Sequence, residues 1–528
     1  MMRIPAFART IQQPRAQPPC DPLAFHARLV EALRATRPFG HPVLRVEAIE
    51  THISTVLLAG EFAYKIKKPV DLGFVDFTTL EKRRQCCEDE VRLNRRTAPQ
   101  LYLRVVPITG SIEHPAVAGE GEPIEYAVRM RRFAPEATFD ALPLTPDQVD
   151  RLAALVATFH GSIPRATPAS GHGAPALIRE TALDNFRQSR AFVEDRESVE
   201  ALERLREWTE AEFGRLAATF AERLRQGFVR ECHGDLHLGN VALIDAEPVP
   251  FDCIEFSAPL RWIDVMSEAA FTVMDLCAHG ERALAFRFLN TYLEHTGDYE
   301  GLAVLRFYLV YRALVRAKVA AIQRRRTTLE RYLRVAQTLT RGAPAGLVVT
   351  CGLSGSGKTT LAGLLAGSLG AVRVRSDVER KRLHGLAAQD RAATAVGAGI
   401  YSFPATVATY ERLAQLARAV LASGFPVIVD ATFLRRSERR VFRDLARRIG
   451  VRFVIVRCEA PLVALRARLL ARAARQDASD ATPAVLERQL ANREGFSPAE
   501  AVAAVTCDTR QGESLAGAMA EVEARLAD

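Results

Sequence analysis

His233-Gly-Asp235-Leu-His237-Leu-Gly-Asn240, followed a short hairpin later by Phe251-Asp252-Cys-Ile-Glu255-Phe, decides how the longer part of this chain is read. Taken singly, His233 and His237 read as loop histidines, Asp235 as a turn former and Asn240 as a cap. Together they make the spacing HxDxxxxN, in which the Asp can receive the proton of an acceptor hydroxyl and the Asn can hold a Mg²⁺ ion. A second Asp is needed on the next strand to reach the metal, and Asp252 stands there, beyond two short strand patterns around Asp245-Ala-Glu-Pro248. The spacing points to phosphoryl transfer.

That chemistry also needs a lysine for the α- and β-phosphates and a glutamate to hold it. Phe62-Ala-Tyr-Lys65 lies in a strand-like run and carries Ala at the offset of the VAIK pattern, which favours Lys65; Lys67 shares its face of the strand. The helical stretch EKRRQCCEDEVRLNRR (81–96) offers several acids as partner, and Glu90, preceding Val91 and Leu93 on an inward face, is chosen over an exposed helix salt bridge.

On HGDLHLGN and FDCIEF, the region resembles the aminoglycoside phosphotransferase group of kinases, and the whole chain resembles fusions of such a domain to an ATP-binding P-loop domain. The resemblance implies an α+β, protein-kinase-like, two-lobed domain over residues 21–340. Its small β-rich lobe would span about 40–135 and its helical lobe about 140–340, with nucleotide between the lobes and acceptor near the helical one. Two departures from protein kinases bear on the acceptor. Gly234 replaces the Arg that docks a phosphorylated activation loop, and Asp252 is followed by Cys253 and Ile254, with the helical pattern WIDVMSEAAFTVMDL (262–276) close behind. Little chain remains for gripping a peptide, so a small acceptor is expected. The glycine-rich phosphate loop is missing: HISTVLLAGEF (52–62) has only Gly60, with Ser54 or Thr55 as substitutes. Related folds phosphorylate many hydroxyl compounds, so an antibiotic substrate does not follow.

A second phosphate-binding pattern begins at GLSGSGKTT (352–360). Gly352, Ser354, Gly355, Ser356 and Gly357 can turn backbone amides toward phosphate oxygens, Lys358 adds positive charge, Thr359 can ligate Mg²⁺, and Thr360 follows in the helix. The loop comes after the apolar run LVVTC and opens the helical run KTTLAGLLAGSL, so phosphates would meet a helix N-terminus. Asp430 ends the strand-like FPVIVD, where a carboxylate can serve the metal shell. Asp377 follows the strand-like AVRVR; it could be a helix cap, but carboxyl ends of strands line the ligand crevice in α/β sheets, which makes it the candidate general base. In order, GLSGSGKTT, RSDVERKRL, VIVDATF and LRARLLARAARQDASDA look like the P-loop small-molecule and polynucleotide kinases, including gluconate kinase and zeta-toxin relatives. The resemblance implies that Asp377 activates the acceptor and that Arg468, Arg472 and Arg475 belong to a lid that neutralises charge. A solvated helix face is the other reading of those arginines. No [NT]KxD motif is present, which argues against a GTPase.

These readings divide the chain into a disordered leader over 1–20, the kinase-like domain over 21–340, a Gly/Pro-marked linker over 341–346, and a P-loop domain over 347–528. In that last segment strand-like and helical runs alternate as in a parallel sheet covered on both faces. The chain has 528 residues, 48% of them hydrophobic, enough for more than one core. No apolar run approaches the ~18–20 residues that span a bilayer, and the nine cysteines form no CxxC pair, so a reducing cytoplasm fits. The net charge of +9 is spread among acids, so nucleic acid is not an expected partner. The expectation is an enzyme with two ATP- and Mg²⁺-dependent kinase domains, each serving an unknown small hydroxyl-bearing acceptor. The alternatives are a nucleotide-sensing N-terminal domain beside one catalytic P-loop kinase, or a polynucleotide 5′-hydroxyl kinase.

Overall fold

Alternation of apolar and polar residues along 46–67 and 102–131 builds the first sheet of the chain, seen here in a computed structural model that describes residues 21–73, 75–342, 345–388, 390, 399–473 and 482–527. The leader expected over 1–20 lies outside the described residues. The chain groups into two units, one of residues up to Ala134 with Glu255–Ser257, the other of Pro135–Ile254 with Ala258–Asp528.

In the first unit, strands β1 (Val46–Glu50), β2 (Ser54–Ala59), β3 (Phe62–Lys67), β4 (Tyr102–Gly110), β5 (Pro115–Val117) and β6 (Pro123–Arg131) form an antiparallel sheet in the order β1-β2-β3-β6-β4-β5. Pleating sends Tyr64 and Ile66 of β3 to one face, where they pack with Leu29, Val30 and Leu33 of the helix Pro22–Thr36. Lys65 and Lys67 therefore point to the opposite face, toward the helix Leu80–Asn94, which Thr79 caps by accepting the Lys82 amide.

The second unit contains the helices Pro146–Ser162, Pro175–Arg190, Arg196–Arg225, Val265–Ala278, Arg282–Thr296, Leu302–Ile322 and Arg326–Arg341. Two small strand pairs interrupt them. β7 (Val229–Glu231) pairs with β10 (Trp262–Asp264), and β8 (Val241–Ile244) pairs with β9 (Glu247–Pro250). Asp245 and Ala246 both have positive φ (51° and 63°), the backbone of a two-residue hairpin turn that matches strand twist. Trp262–Asp264, read from sequence as the head of a helix, is strand β10 instead; the helix begins at Val265 because the Asp264 side chain caps it at the Met266 amide.

Beyond residue 345 the same unit contains a five-stranded parallel sheet of β11 (Gly346–Cys351), β12 (Val372–Arg375), β13 (Val427–Asp430), β14 (Arg452–Glu459) and β15 (Ala504–Asp508), in the order β12-β13-β11-β14-β15. Every residue of β11 and β13 is buried, as covering on both faces requires. One face packs Val348, Ile428 and Val456 against Leu361, Leu365 and Val522. On the other face Leu347, Val349 and Val429 belong to a core that continues into Phe288, Leu305 and Tyr332 of the helices before residue 345.

Edge strand β12 has a side chain in place of a neighbouring strand. The Asn290 amide on the helix Arg282–Thr296 donates to Ala371 O (3.0 Å) and accepts the Arg373 N–H (2.6 Å). Replacing it leaves two buried backbone groups unpaired. Asn290→Ala is expected to lower the unfolding free energy by about 2–3 kcal/mol, which chemical denaturation monitored by circular dichroism will measure.

Candidate functional site

Buried carboxylates organise the cationic cluster of the first unit. Lys67 Nζ is completely buried and pairs with both Glu90 Oε2 and Glu255 Oε1, while Lys65 Nζ lies 2.9 Å from Glu90 Oε1. Two lysines thus face two carboxylates. Burial opposes the charge on Lys67, but Glu255 and then Glu90 outweigh it and hold its pKa above the ordinary lysine value. Cys86 donates to Glu255 Oε1 from 3.4 Å, and burial pushes the neighbouring Cys87 thiol up to about 12. Lys65 and Lys67 both reach Glu90, so the glutamate chosen from sequence serves the two lysines at once.

In the second unit the stretch 233–240 leaves β7 as a loop and ends in a single helical turn, Leu238–Asn240. Asn240 Nδ2 donates to Asp235 O (2.9 Å) and to Asp235 Oδ2 (3.1 Å), which ties the two residues together. The Gly239 amide donates to His237 Nδ1 at 3.1 Å, leaving the ring proton on Nε2, which faces Asp235 Oδ2 at 3.6 Å. Burial lowers the His237 pKa against the pull of Asp235. His233 is buried against Phe251 O (2.9 Å), the residue before Asp252. Asp252 has φ of +62°, a left-handed conformation that Asp tolerates better than most residues.

The helix Val265–Ala278 holds this loop from behind. Glu268 Oε1 accepts the Gly234 amide (2.6 Å), and Glu268 Oε2 accepts His160 Nε2–H (2.7 Å), so His160 Nδ1 accepts the Tyr292 hydroxyl (2.9 Å). One helical stretch further, Asp275 accepts the Leu238 amide (2.9 Å) and the Tyr332 hydroxyl (2.7 Å). Burial works against the charge of Glu268, yet His160 and the Gly234 amide leave its pKa below the ordinary value. Arg312 closes the assembly by donating to Gly234 O at 3.0 Å. Gly234 itself has φ of +89°, and a Cβ there would lie 2.8 Å from Leu260 O, which explains why no arginine stands at this position.

The phosphate-binding pattern at 352–360 follows β11 and opens the helix Lys358–Leu369. A Cβ on Gly352 would meet Cys458 O at 2.5 Å, and one on Gly357 would meet Thr509 at 2.9 Å; both glycines have positive φ. Ser356 is buried, and its hydroxyl has no hydrogen-bond partner among the described residues. Lys358 Nζ donates to Leu353 O (2.8 Å); burial lowers its pKa and Asp430 opposes the shift. Asp430, buried at the carboxyl end of β13, accepts from Thr350 Oγ1 at 3.4 Å and faces Arg375 Nε at 3.8 Å. Asp377 stands in the first turn of the helix Ser376–Leu383, beyond the carboxyl end of β12. Arg468 Nη1 donates to Gly355 O (3.1 Å) and Thr509 Oγ1 (3.0 Å). Arg475 and the side chain of Arg472 lie outside the described residues. An orphan hydroxyl, glycines with no room for a side chain and a partly desolvated lysine suit the oxygens of a polyphosphate. Thr359 with Asp430, and Asn240 with Asp252, offer the hard oxygen donors that suit Mg²⁺.

A family model described as "Phosphotransferase enzyme family" matches residues 79–308, and one described as "AAA domain" matches residues 347–496. The uncharacterized proteins Rv2004c of Mycobacterium tuberculosis and Mb2027c of Mycobacterium bovis are each 32% identical to this chain over 456 residues, 84% of it and 89% of theirs. The chain belongs to their family. It joins an aminoglycoside phosphotransferase-like region to a C-terminal region with the parallel sheet of P-loop proteins, and both regions are of kinase type. Among solved structures the chain is similar to the GDP and kanamycin complex of APH(2")-IIia, with 13% identity over 59% of this chain and 99% of that chain and a TM-score of 0.38. It is also similar to a gluconokinase from Sinorhizobium meliloti 1021, with 27% identity over 35% and 94% and a TM-score of 0.24. Among the described residues, no helix is long and apolar enough to cross a membrane.

Several residues of these clusters went unassigned on sequence: Glu255, Glu268, Asp275, His160 and Arg312. The signal for Glu268 and Asp275 was present, since two acids seven positions apart in an apolar helix must be paired if that helix is buried. For Glu255 it was proximity to Asp252 in the quoted motif. Removing one carboxylate from the lysine cluster leaves an uncompensated buried charge. Glu255→Gln is expected to lower the unfolding free energy by about 3–5 kcal/mol, and Lys67→Met with Glu255→Leu to recover most of that loss in urea titrations.

Proposed function

We propose that the protein is an ATP- and Mg²⁺-dependent phosphotransferase with two active regions, residues 21–340 and 347–528, each moving the γ-phosphoryl group to a hydroxyl of a small acceptor. The observation that carries this reading is the tie between Asn240 and Asp235, which joins a candidate metal-holding amide and a candidate base of one loop at 3.1 Å. In the first region Asp235 receives the acceptor proton as the new P–O bond forms and the bond to the β,γ-bridging oxygen breaks, releasing ADP. Lys65, braced by Glu90, serves the nucleotide phosphates, and Asn240 and Asp252 hold the metal.

In the second region the amides of 352–358 and Lys358 hold the phosphates, Thr359 and Asp430 serve the metal, and Asp377 takes the acceptor proton. Arg468, already hydrogen-bonded to Gly355 O, is suited to offset charge at that loop. Bound Mg²⁺ supplies neutralisation of the phosphate oxygens in both regions. The eight described cysteines are free thiols, which suits action in the cytoplasm, with nucleic acid outside the acceptors proposed.

Incubation with Mg-ATP and a panel of sugars, nucleosides and aminoglycosides, read by mass spectrometry for added phosphate, tests the proposal. Lys65→Ala and Lys358→Ala are each expected to reduce a different product by about 100-fold or more. A Lys358→Ala protein that keeps every nucleotide-binding and turnover property of its parent would rule out the second region.

A further inference from the structure

The helix Arg282–Thr296 lies in the phosphotransferase-like region, where Arg287 and Thr291 bond Asp150, yet its Asn290 and Glu294 reach the P-loop region. Asn290 occupies the open edge of β12, and Glu294, one turn later on the same face, reaches two arginines of that strand. Glu294 Oε1 accepts Arg373 Nη2 (2.6 Å) and Nε (3.2 Å), and Glu294 Oε2 accepts Arg375 Nη1 (3.1 Å). The two arginines are two positions apart on β12 and so project to the same side. Arg375 is the last residue of the strand, directly before Ser376 and Asp377, and its Nε faces Asp430 Oδ2 at 3.8 Å.

One guanidinium is therefore shared by two carboxylates, and the contacts are unequal. The 3.1 Å contact to Glu294 has hydrogen-bond length, whereas 3.8 Å to Asp430 is a charge attraction without a directional bond. Glu294 is buried, and although burial resists its ionisation, Arg373 and then Arg375 hold its pKa below the ordinary value. It therefore presents a full negative charge at neutral pH. Without that charge, Arg375 has Asp430 beside it, and beside a buried carboxylate a guanidinium competes directly with a divalent cation for the same oxygens.

We propose that Glu294 is a positioning residue for the P-loop region: by holding Arg375 it keeps the Asp430 carboxylate available to Mg²⁺, so that a helix of one kinase-type region completes the metal site of the other. The inference rests on the assignment of Asp430 to the metal shell.

The test uses the full chain carrying Lys65→Ala, so that binding of a fluorescent ATP analogue reports on the P-loop, and measures the Mg²⁺ concentration that half-saturates the nucleotide-dependent signal. Asp430→Asn is expected to raise that concentration; if it does not, the metal assignment itself fails. Given that rise, Glu294→Gln is expected to raise it about tenfold, as loss of an outer-shell partner does, and Arg375→Met added to Glu294→Gln to return it toward the parent. Asn290→Ala, which loosens the same strand edge without touching Arg375, is expected to lower stability and leave Mg²⁺ dependence unchanged. An unchanged Glu294→Gln, a failure of Arg375→Met to restore the parental value, or an equal rise in Asn290→Ala each overturns the proposal. Should Glu294→Gln not fold, Arg375→Met alone decides: a Mg²⁺ requirement at or below that of the parent supports the competition, and a raised one overturns it.

Discussion

The pairing of two carboxylates buried in an apolar helix governs the geometry of the phosphotransferase-like region. Glu268 and Asp275 lie on Val265–Ala278, a helix with almost no exposed residue, and an ionised carboxylate there is tolerated only if hydrogen bonds replace its water. The bonds come from the loop 233–240: Gly234 N–H to Glu268 and Leu238 N–H to Asp275. The loop is thereby pinned at both ends by groups that cannot move without stranding a buried charge. Asp235 sits between the pins, its carboxylate partly exposed and hydrogen-bonded to the buried Asn240 amide.

The pins also explain why motif residues were legible in sequence while their supports were not. HGDLHLGN and GLSGSGKTT are contiguous, and fixed spacing with glycines at fixed offsets carries the geometry along the chain. Gly234 illustrates this, since only a residue without Cβ fits against Leu260 O. The supports come from elsewhere: His160 is on Pro146–Ser162, Arg312 on Leu302–Ile322, and Glu255 completes a cluster with Lys67 from almost the other end of the region. Strand β10 is not legible in sequence for a related reason, because three residues at the head of a long helical pattern become a strand only through pairing with β7.

Lys65 and Lys67 show where sequence parity stops being informative. Period-two alternation puts both on one face of β3, hydropathy does not separate them, and the Ala offset that favours Lys65 says nothing of which carboxylates each lysine meets. The difference is in the neighbours. Lys67 is fully buried between Glu90 and Glu255, whereas Lys65 pairs with Glu90 and keeps slight exposure. A lysine paired twice and fully buried acts as a counter-charge that fixes Glu90, and that fixed carboxylate then orients Lys65.

Continuity of the core beyond residue 345 is the same principle at a larger scale. The Gly/Pro-marked stretch 341–346 breaks the helical pattern in sequence, but Leu347 and Val349 share an apolar core with Phe288 and Leu305. A parallel sheet exposes the backbone of its edge strands, and at β12 the solution is a polar helix face instead of another strand or a charged edge. Asn290 satisfies the backbone and Glu294 the two arginines, so the contact is specific in register as well as in sign. An apolar covering helix could slide along such an edge; one that must meet an N–H, a C=O and two guanidinium groups at once cannot. The carboxyl end of β12, which carries Asp377 just beyond it, is therefore set by residues encoded some eighty positions earlier, because a satisfied polar contact fixes position where hydrophobic burial alone fixes only proximity.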